Sequence, residues 1–465
     1  MGPLISMMFK LMIKTVFKNK KALWIALMAL LVPGSVAPVF GQQVQVALAG
    51  QAQSATNELA PSDELDEPTV DYSSVPQFGG PTSVGAQVKS DNEVRKTPYW
   101  IEGISQGVQP YYDFKARVQK NHGLSFGADY NLLYQGASES LGEDSAAGSV
   151  LRLYGTWTLA GRGSQDMGAI TFKVENRHRL GTDIAPQQLG GEVGYAGLTA
   201  ITYSDAGSLL TNLYWQQSFN NNRLAFVAGI VDVTDYVAVY GLVNPWTDFI
   251  NLVFSTDPTI PVPNQGLGAA VRTSFADNYY ILVGLADANG DPGEPQDSFD
   301  SFFNDHEYFK HIELGWFSSW ENRFTDNIHL TAWQVDEREA ALVPNGWGAA
   351  FSFSRKFNDR WLPFVRAGYS DGGGGVILER SVSVGVGYFM TTRSDEIGVG
   401  LNWGRPSEKT FGPDLDDQYT AEMYYRFQLF QHVSVTPDFQ YLANPALNPD
   451  EDSIWVAGLR ARVVF

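Results

Sequence analysis

From Leu124 to the last residue the chain repeats with a period of two, and no other feature constrains its fold as tightly. In LSFGADYNLLYQ, residues Leu124, Phe126, Ala128, Tyr130, Leu132 and Tyr134 share one face, while Ser125, Asp129, Asn131 and Gln135 share the other. LRLYGTWTL sets Leu151, Leu153, Trp157 and Leu159 against Arg152, Tyr154, Thr156 and Thr158. ITFKVENR, EIGVGLNWG and AEMYYRFQ repeat the pattern, as does the closing WVAGLRARVVF, whose apolar face ends at Phe465 and whose other face carries Arg460 and Arg462. Successive side chains of a strand point to opposite sides, so each segment reads as a strand with one apolar face. About 16 such segments begin near residues 124, 150, 168, 209, 223, 267, 279, 308, 327, 346, 361, 380, 395, 419, 432 and 455. The stretch Gly194–Tyr203 reads as loop. Tight polar links such as NNN (Asn220–Asn222), ADN (Ala276–Asn278) and FNDR (Phe357–Arg360) point to an up-and-down antiparallel order.

A sandwich in water also alternates, so the choice between sandwich and barrel rests on three further features. The runs are about ten residues long, enough to cross a hydrocarbon layer at the tilt of a barrel strand. Aromatic residues gather at run ends, as with Tyr130, Tyr134, Trp403 and Tyr441. The polar face carries Gly, Ser, Thr, Asn and isolated Arg or Glu, the lining of a narrow aqueous lumen. Lipid cannot satisfy a bare strand edge, so such a sheet must close on itself. The reading is therefore an all-β protein, a 16-stranded antiparallel transmembrane β-barrel over residues 124–465, wide enough to enclose water. A mean hydropathy of −0.17 does not conflict, because alternation hides apolar side chains from any averaging window.

The amino-terminal part is of another kind. Lys10, Lys14, Lys18, Lys20 and Lys21 precede the apolar run Ala22–Val32, which is too short to span a bilayer and suits a secretory signal over residues 1–41. A short membrane anchor is the alternative. Residues 42–98, rich in Gln, Ser, Pro and acidic side chains, read as a disordered low-complexity segment. Residues 99–123 read as a linker with one short helix, Pro110–His122, started by its proline and stopped by Gly123. With no cysteine, disulfides and thiolate chemistry are excluded. A net charge of −19 argues against nucleic acid as a partner and mildly favours cations.

An aromatic residue closing the last strand resembles the signal by which bacterial outer-membrane barrels are recognised by their assembly machinery, and Phe465 occupies that place. The resemblance narrows further in the last hundred residues. PFVRAGYSDGG (Pro363–Gly373), GVGLNWGRPS (Gly398–Ser407) and the stretch Tyr424–Phe465, with TPDFQYLANP followed by WVAGLRARVVF, are similar to the carbohydrate-selective porins of the OprB family. YDFKARVQKNHGLSFGADYN resembles that family's first helix and strand, so the similarity runs from Tyr111 to Phe465. It implies an exported outer-membrane porin in which glucose and other small carbohydrates diffuse passively past a charged and aromatic constriction. No cofactor, metal or enzymatic activity is expected.

A pore that selects sugars without trapping them needs forked donors, carboxylate acceptors and an aromatic surface. Charges of lumen parity are Arg152, Lys173, Glu175, Arg177, Arg272, Glu313, Arg366, Glu422, Arg426, Asp438, Arg460 and Arg462. Any one of them taken singly is better read as an ion pair across the wall than as a sugar ligand. The group Arg152, Lys173, Glu175 and Arg177 is the leading candidate for part of a constriction. The longest insertion between strands, Val231–Gly266, is too apolar to hang in water. It is expected to fold into the barrel with Asp232, Asp235, Tyr236 and Trp246 near the narrowest point. Packing on a neighbouring subunit or capping the outside are the alternatives, and either a monomer or a homotrimer is compatible with the sequence.

Other chemistry finds no support. The six histidines form no metal-binding spacing, and no Ser-His-Asp arrangement has a motif behind it. The acidic stretch Asp287–Glu307 reads as a solvated external loop, and DGGGG (Asp371–Gly375) as a hairpin tip. A general or cation-preferring porin is the rival within the same fold. An outer-membrane enzyme and a secreted sugar-binding sandwich are rivals from other classes.

Overall fold

A computed structural model describes residues 78–99 and 102–465. The first strands are β1 (Leu124–Ala137), β2 (Ser145–Ala160), β3 (Gly168–Arg179), β4 (Gly207–Phe219) and β5 (Leu224–Val231). Then come β6 (Gly266–Phe275), β7 (Tyr279–Asp287), β8 (Tyr308–Phe317), β9 (Asp326–Val335), β10 (Gly346–Arg355) and β11 (Trp361–Ser370). The last are β12 (Leu378–Phe389), β13 (Glu396–Pro406), β14 (Gln418–Phe430), β15 (Val433–Ala443) and β16 (Ser453–Val464). Each pairs antiparallel with its sequence neighbours, and β1 pairs with β16 from Asp129 opposite Val464 to Ala137 opposite Val456, so the sheet is a closed barrel. The 16 strands stand where the alternation places them, and Gly194–Tyr203 is loop.

The wall has two chemistries because its parity holds all the way round. Leu153, Val271, Ile312, Leu330, Leu401 and Leu459 stand exposed on the outer face. Asp129, Arg152, Glu313, Glu422 and Arg460 are buried on the inner one. Exposed aromatic residues mark both rims of the outer belt: Phe219, Phe275, Tyr279 and Trp361 at one end, Tyr134, Trp347, Tyr369, Tyr419 and Trp455 at the other. An apolar band between two aromatic girdles is the surface a bilayer covers. No helix among the described residues is long and apolar enough to cross a membrane.

The two ends differ in their connections. Turns such as 220–223, 276–278 and 431–432 close one end, where Asn220, Asn221 and Asn222 all take positive φ. Loops as long as 180–206 and 232–265 gather at the other. Short turns on the periplasmic side and long loops outside are the usual polarity of such barrels.

Three tyrosines on the inner face lie flat against glycines on the neighbouring strand. Tyr154 faces Gly127, Tyr280 faces Gly315 and Tyr424 faces Gly398. A methyl group at Gly398 would come within 2.1 Å of the Tyr424 ring. Laid flat, the rings carry their hydroxyls to carboxylates: Tyr424 donates to Glu396, and Tyr280 donates to Glu313 at 2.7 Å. Gly398→Leu is expected to cost about 1–3 kcal/mol by overpacking, read as a lower temperature for the heat-induced mobility shift of the barrel on gels.

Two expectations for the amino-terminal region are corrected. Residues 78–98 are not all structureless: they carry the helix α1 (Val84–Asp91), with Val84 and Val88 fully buried against Tyr154. Eight residues of weak amphipathicity give no periodic signal, and tertiary contacts supply the order. The second helix, α2, runs Glu102–His122, so Pro110 lies inside it and does not start it. An interior proline loses its own N–H and crowds the carbonyl four residues back, yet the helix continues through it. Its end is as the sequence indicates, with Gly123 at φ +71°. The predicted signal, 1–41, lies outside the described residues.

Candidate functional site

The inner face does not enclose an open tube of water. The insertion between β5 and β6 folds inward, and Tyr240, Leu242, Phe249, Val253 and Phe254 on it are buried against the far wall beside Phe364 and Tyr424. Its apolar content is what lets it leave water. Packing on a neighbour or capping the outside is therefore not where this loop lies.

Wall side chains hold it through its backbone. Glu422 on β14 accepts the amide N–H of Ile250 and Asn251 at 2.7 and 3.0 Å. Glu313 on β8 accepts the N–H of Ala238 at 2.8 Å. Arg460 on β16 donates to the carbonyls of Pro245 and Asp248, the latter at 2.7 Å. Arg366 on β11 donates to the carbonyls of Phe254 (3.3 Å), Ala238 (3.1 Å) and Thr256. Arg426 on β14 bridges the loop's Asp248 at 3.4 Å and the wall's Glu396 at 2.8 Å.

The sequence-selected residues thus fall into separate groups. Asp232 and Asp235 both face Lys173, at 3.8 and 3.6 Å. Burial raises the carboxyl of Asp235 above the ordinary carboxylate range, with Lys173 opposing that shift. Tyr236 packs by its ring on Phe78, 5.6 Å between centroids. Trp246 lies under the guanidinium of Arg152 at 4.0 Å and beside Tyr203 at 5.5 Å. Arg272 stacks on Trp320 at 4.5 Å and donates to Asn222 in a short turn. Asp438 accepts from Gln440 at 2.9 Å.

The leading quartet is divided between three partners. Arg152 sits directly across from Glu175 in the register of β2 and β3, yet its guanidinium turns the other way, to Asp129 on β1. Glu175 is taken by Arg177 two residues along its own strand, at 2.6 Å. Lys173 serves the infolded loop. Asp129 is the hub that the candidate set omits: it also accepts from Arg462 at 2.6–2.7 Å, so one carboxylate joins β2, β1 and β16 across the closure of the barrel. Its parity was readable from the sequence, but its partners were not.

A second participant gave no signal at all. Asp91, at the end of α1, lies in the lumen with its carboxylate on Arg462 at 2.9 and 3.0 Å and on the hydroxyl of Tyr154. Near it, Lys115 of α2 donates to the main-chain oxygen of Phe465 at 3.3 Å, and burial lowers its ammonium pKa to about 8. Phe465 itself completes the seam, its N–H donating to Ala128 at 2.8 Å. Among the described residues no group of three or more acidic or histidine side chains is placed to hold a metal ion.

This architecture has relatives. The chain aligns with the porin AaxA of Chlamydia felis at 22% identity over 267 residues, 56% of this chain and 58% of that porin's length. In three dimensions it superposes on the high-pH structure of Pseudomonas putida OprB with a TM-score of 0.60 at 14% identity, covering 76% of this chain and 97% of that one. The family described as "Carbohydrate-selective porin, OprB family" matches residues 107–465. The chain belongs to the carbohydrate-selective porin family, OprB.

Proposed function

We propose that this protein is an outer-membrane porin for the passive, selective diffusion of small carbohydrates such as glucose, with the infolded loop and the charged inner wall forming its constriction. One observation carries the reading. The segment 231–266 is tied inside a closed barrel by buried guanidinium and carboxylate groups, so the lumen is narrowed by an infolded loop set among charged and aromatic side chains. A hexose presents hydroxyls around its ring and apolar C–H faces above and below it. Arg152 over Trp246, with Tyr203 alongside, brings both kinds of partner together in one place, but all three are buried and Arg152 is held by Asp129, so in this state they shape the constriction and do not face the solute. Affinity must stay near millimolar, about −4 kcal/mol, for the solute to leave again. Phe465 serves in this reading as the strand-end signal for the barrel-assembly machinery.

Liposome swelling with a panel of mono- and disaccharides, set beside amino acids and salts of similar size, tests it. Faster entry of sugars than of size-matched solutes is expected. Equal rates for all solutes, or a preference for cations alone, would favour a general porin instead. Within the constriction, Arg152→Ala and Arg177→Ala are expected to change single-channel conductance or its block by sugar in planar bilayers, Arg152→Ala more strongly because its guanidinium also covers Trp246. Unchanged traces for both would remove them from the solute path.

A further inference from the structure

Residues 78–98 lie outside the part of the chain that matches the family, yet they enter the barrel. Both ends of this segment sit at the short-turn end. Phe78 packs near Arg272 and Tyr236, and Arg272 in turn binds Asn222 of the turn after β4. At the other end the N–H of Arg95 donates to Gln431, and Lys96 exchanges hydrogen bonds with Ser394, both in short turns. Between these points the chain rises beneath the infolded loop. The N–H of Gly80 donates to the carbonyl of Asp235 at 2.5 Å, and a Cβ on Gly79 would fall 2.4 Å from that same oxygen. Only glycine allows so close an approach of the two backbones. The cavity left between Phe78, Tyr236, Arg272, Glu313 and Trp320 measures about 40 Å³, room for a few waters and not for a hexose.

We infer that residues 78–98 are a resident plug, latched by Asp91 on Arg462 and Tyr154, that closes the periplasmic half of the lumen and must withdraw before solute can pass. The inference rests on the porin reading above. Two features make withdrawal feasible. Both described ends of the segment stand at one mouth, so it can be drawn out of that mouth. Its hold is mainly polar: Asp91 with Arg462 and Tyr154, Gln87 with Asp91 at 2.9 Å, and the rim contacts of Arg95 and Lys96. Its fully buried apolar anchors are Val84 and Val88 on a helix of eight residues. A carboxylate standing on Arg462 and Tyr154 occupies donors that the open pore would present to a passing solute.

The full-length protein, a deletion of residues 78–98 and Asp91→Ala should be compared in planar bilayers and in glucose swelling, each checked for heat-modifiable migration. The deletion is expected to raise mean current at least about fivefold, and Asp91→Ala to give an intermediate rise with longer openings, because the latch biases a two-state equilibrium. Equal currents in the full-length protein and a folded deletion would overturn the plug, while glucose uptake in both would leave the diffusion reading intact. A deletion that conducts more but admits no sugar would keep the plug and remove the sugar reading. Should the deletion fail to fold, a cysteine pair decides, since the chain has no cysteine of its own. A Cβ at Gly80 lies 2.8 Å from that of Val239, so Gly80→Cys with Val239→Cys can be oxidised with a small shift. Current that rises on reduction supports the plug, and current indifferent to reduction overturns it.

Discussion

Replacing Asp129 by alanine is expected to destabilise the barrel by about 3–5 kcal/mol, the loss seen when one member of a buried charge network is removed. Asp129 is fully buried and takes Arg152 from one neighbouring strand and Arg462 from the other. Without it, two guanidinium groups face each other across β1, with only Asp91 remaining as a counter-charge on Arg462. The damage falls on the closure of the barrel, because Arg462 belongs to the last strand and Asp129 to the first. Two measurements separate charge from shape. Asp129→Asn keeps the volume and one acceptor and should cost less. Asp129→Ala combined with Arg152→Met removes the repulsion and should recover part of the loss. The temperature of the gel-mobility shift reads stability, and the reversal potential in a salt gradient should move toward anions. An Asp129→Ala barrel as heat-resistant as the parent, with the same ion preference, would show that the triad contributes nothing to the wall.

The wall was legible because its physics is local. A closed sheet between lipid and an aqueous or polar interior forces one residue in two outward, and the 16 strand segments between Leu124 and Phe465 obey this rule. Parity therefore placed Arg152, Lys173, Glu175, Arg177, Arg272, Glu313, Arg366, Glu422, Arg426, Asp438, Arg460 and Arg462 on the correct side. Choosing partners is a different problem. Arg152 has Glu175 directly opposite and still turns to Asp129, since a long guanidinium side chain reaches two strands and takes the carboxylate with the better geometry. Register gives neighbours and leaves open which of two the fork selects.

Composition misled where tertiary contacts supply the order. VGAQVKSD has neither the length nor the moment of a stable isolated helix, and residues around it are acidic and rich in Ser and Pro. Its order comes from a cavity shaped by Tyr154, Arg462 and the underside of the infolded loop, all far away in sequence. The inward course of segment 231–266 was readable because its composition is too apolar for water. Its attachment points were not, because they are backbone amides and carbonyls that any sequence possesses.

Those attachment points set the other large effect. Arg366→Ala and Arg460→Ala are each expected to cost about 2–5 kcal/mol, since the first leaves the loop carbonyls of Ala238 and Thr256 without a donor (that of Phe254 keeps the Tyr240 hydroxyl) and the second those of Pro245 and Asp248. The loss should appear as a loosened loop more than as a ruptured wall, because neither guanidinium takes part in the strand ladder. Protease protection of 232–265 should fall, and single-channel traces should show larger, noisier openings. Lysine in place of either arginine should not restore quiet traces, because a single ammonium cannot reproduce a fork that spans separate carbonyls. Glu422→Gln is the complementary case. It keeps one acceptor for the amides of Ile250 and Asn251, so its effect should be the smaller, whereas Glu422→Ala leaves both N–H groups buried and unpaired. If the Arg366→Ala and Arg460→Ala pores stay as quiet and as protease-resistant as the parent, the loop is held by its apolar packing alone. The constriction would then be set by Phe249, Phe254 and Tyr240 against Phe364, and not by the charges of the wall.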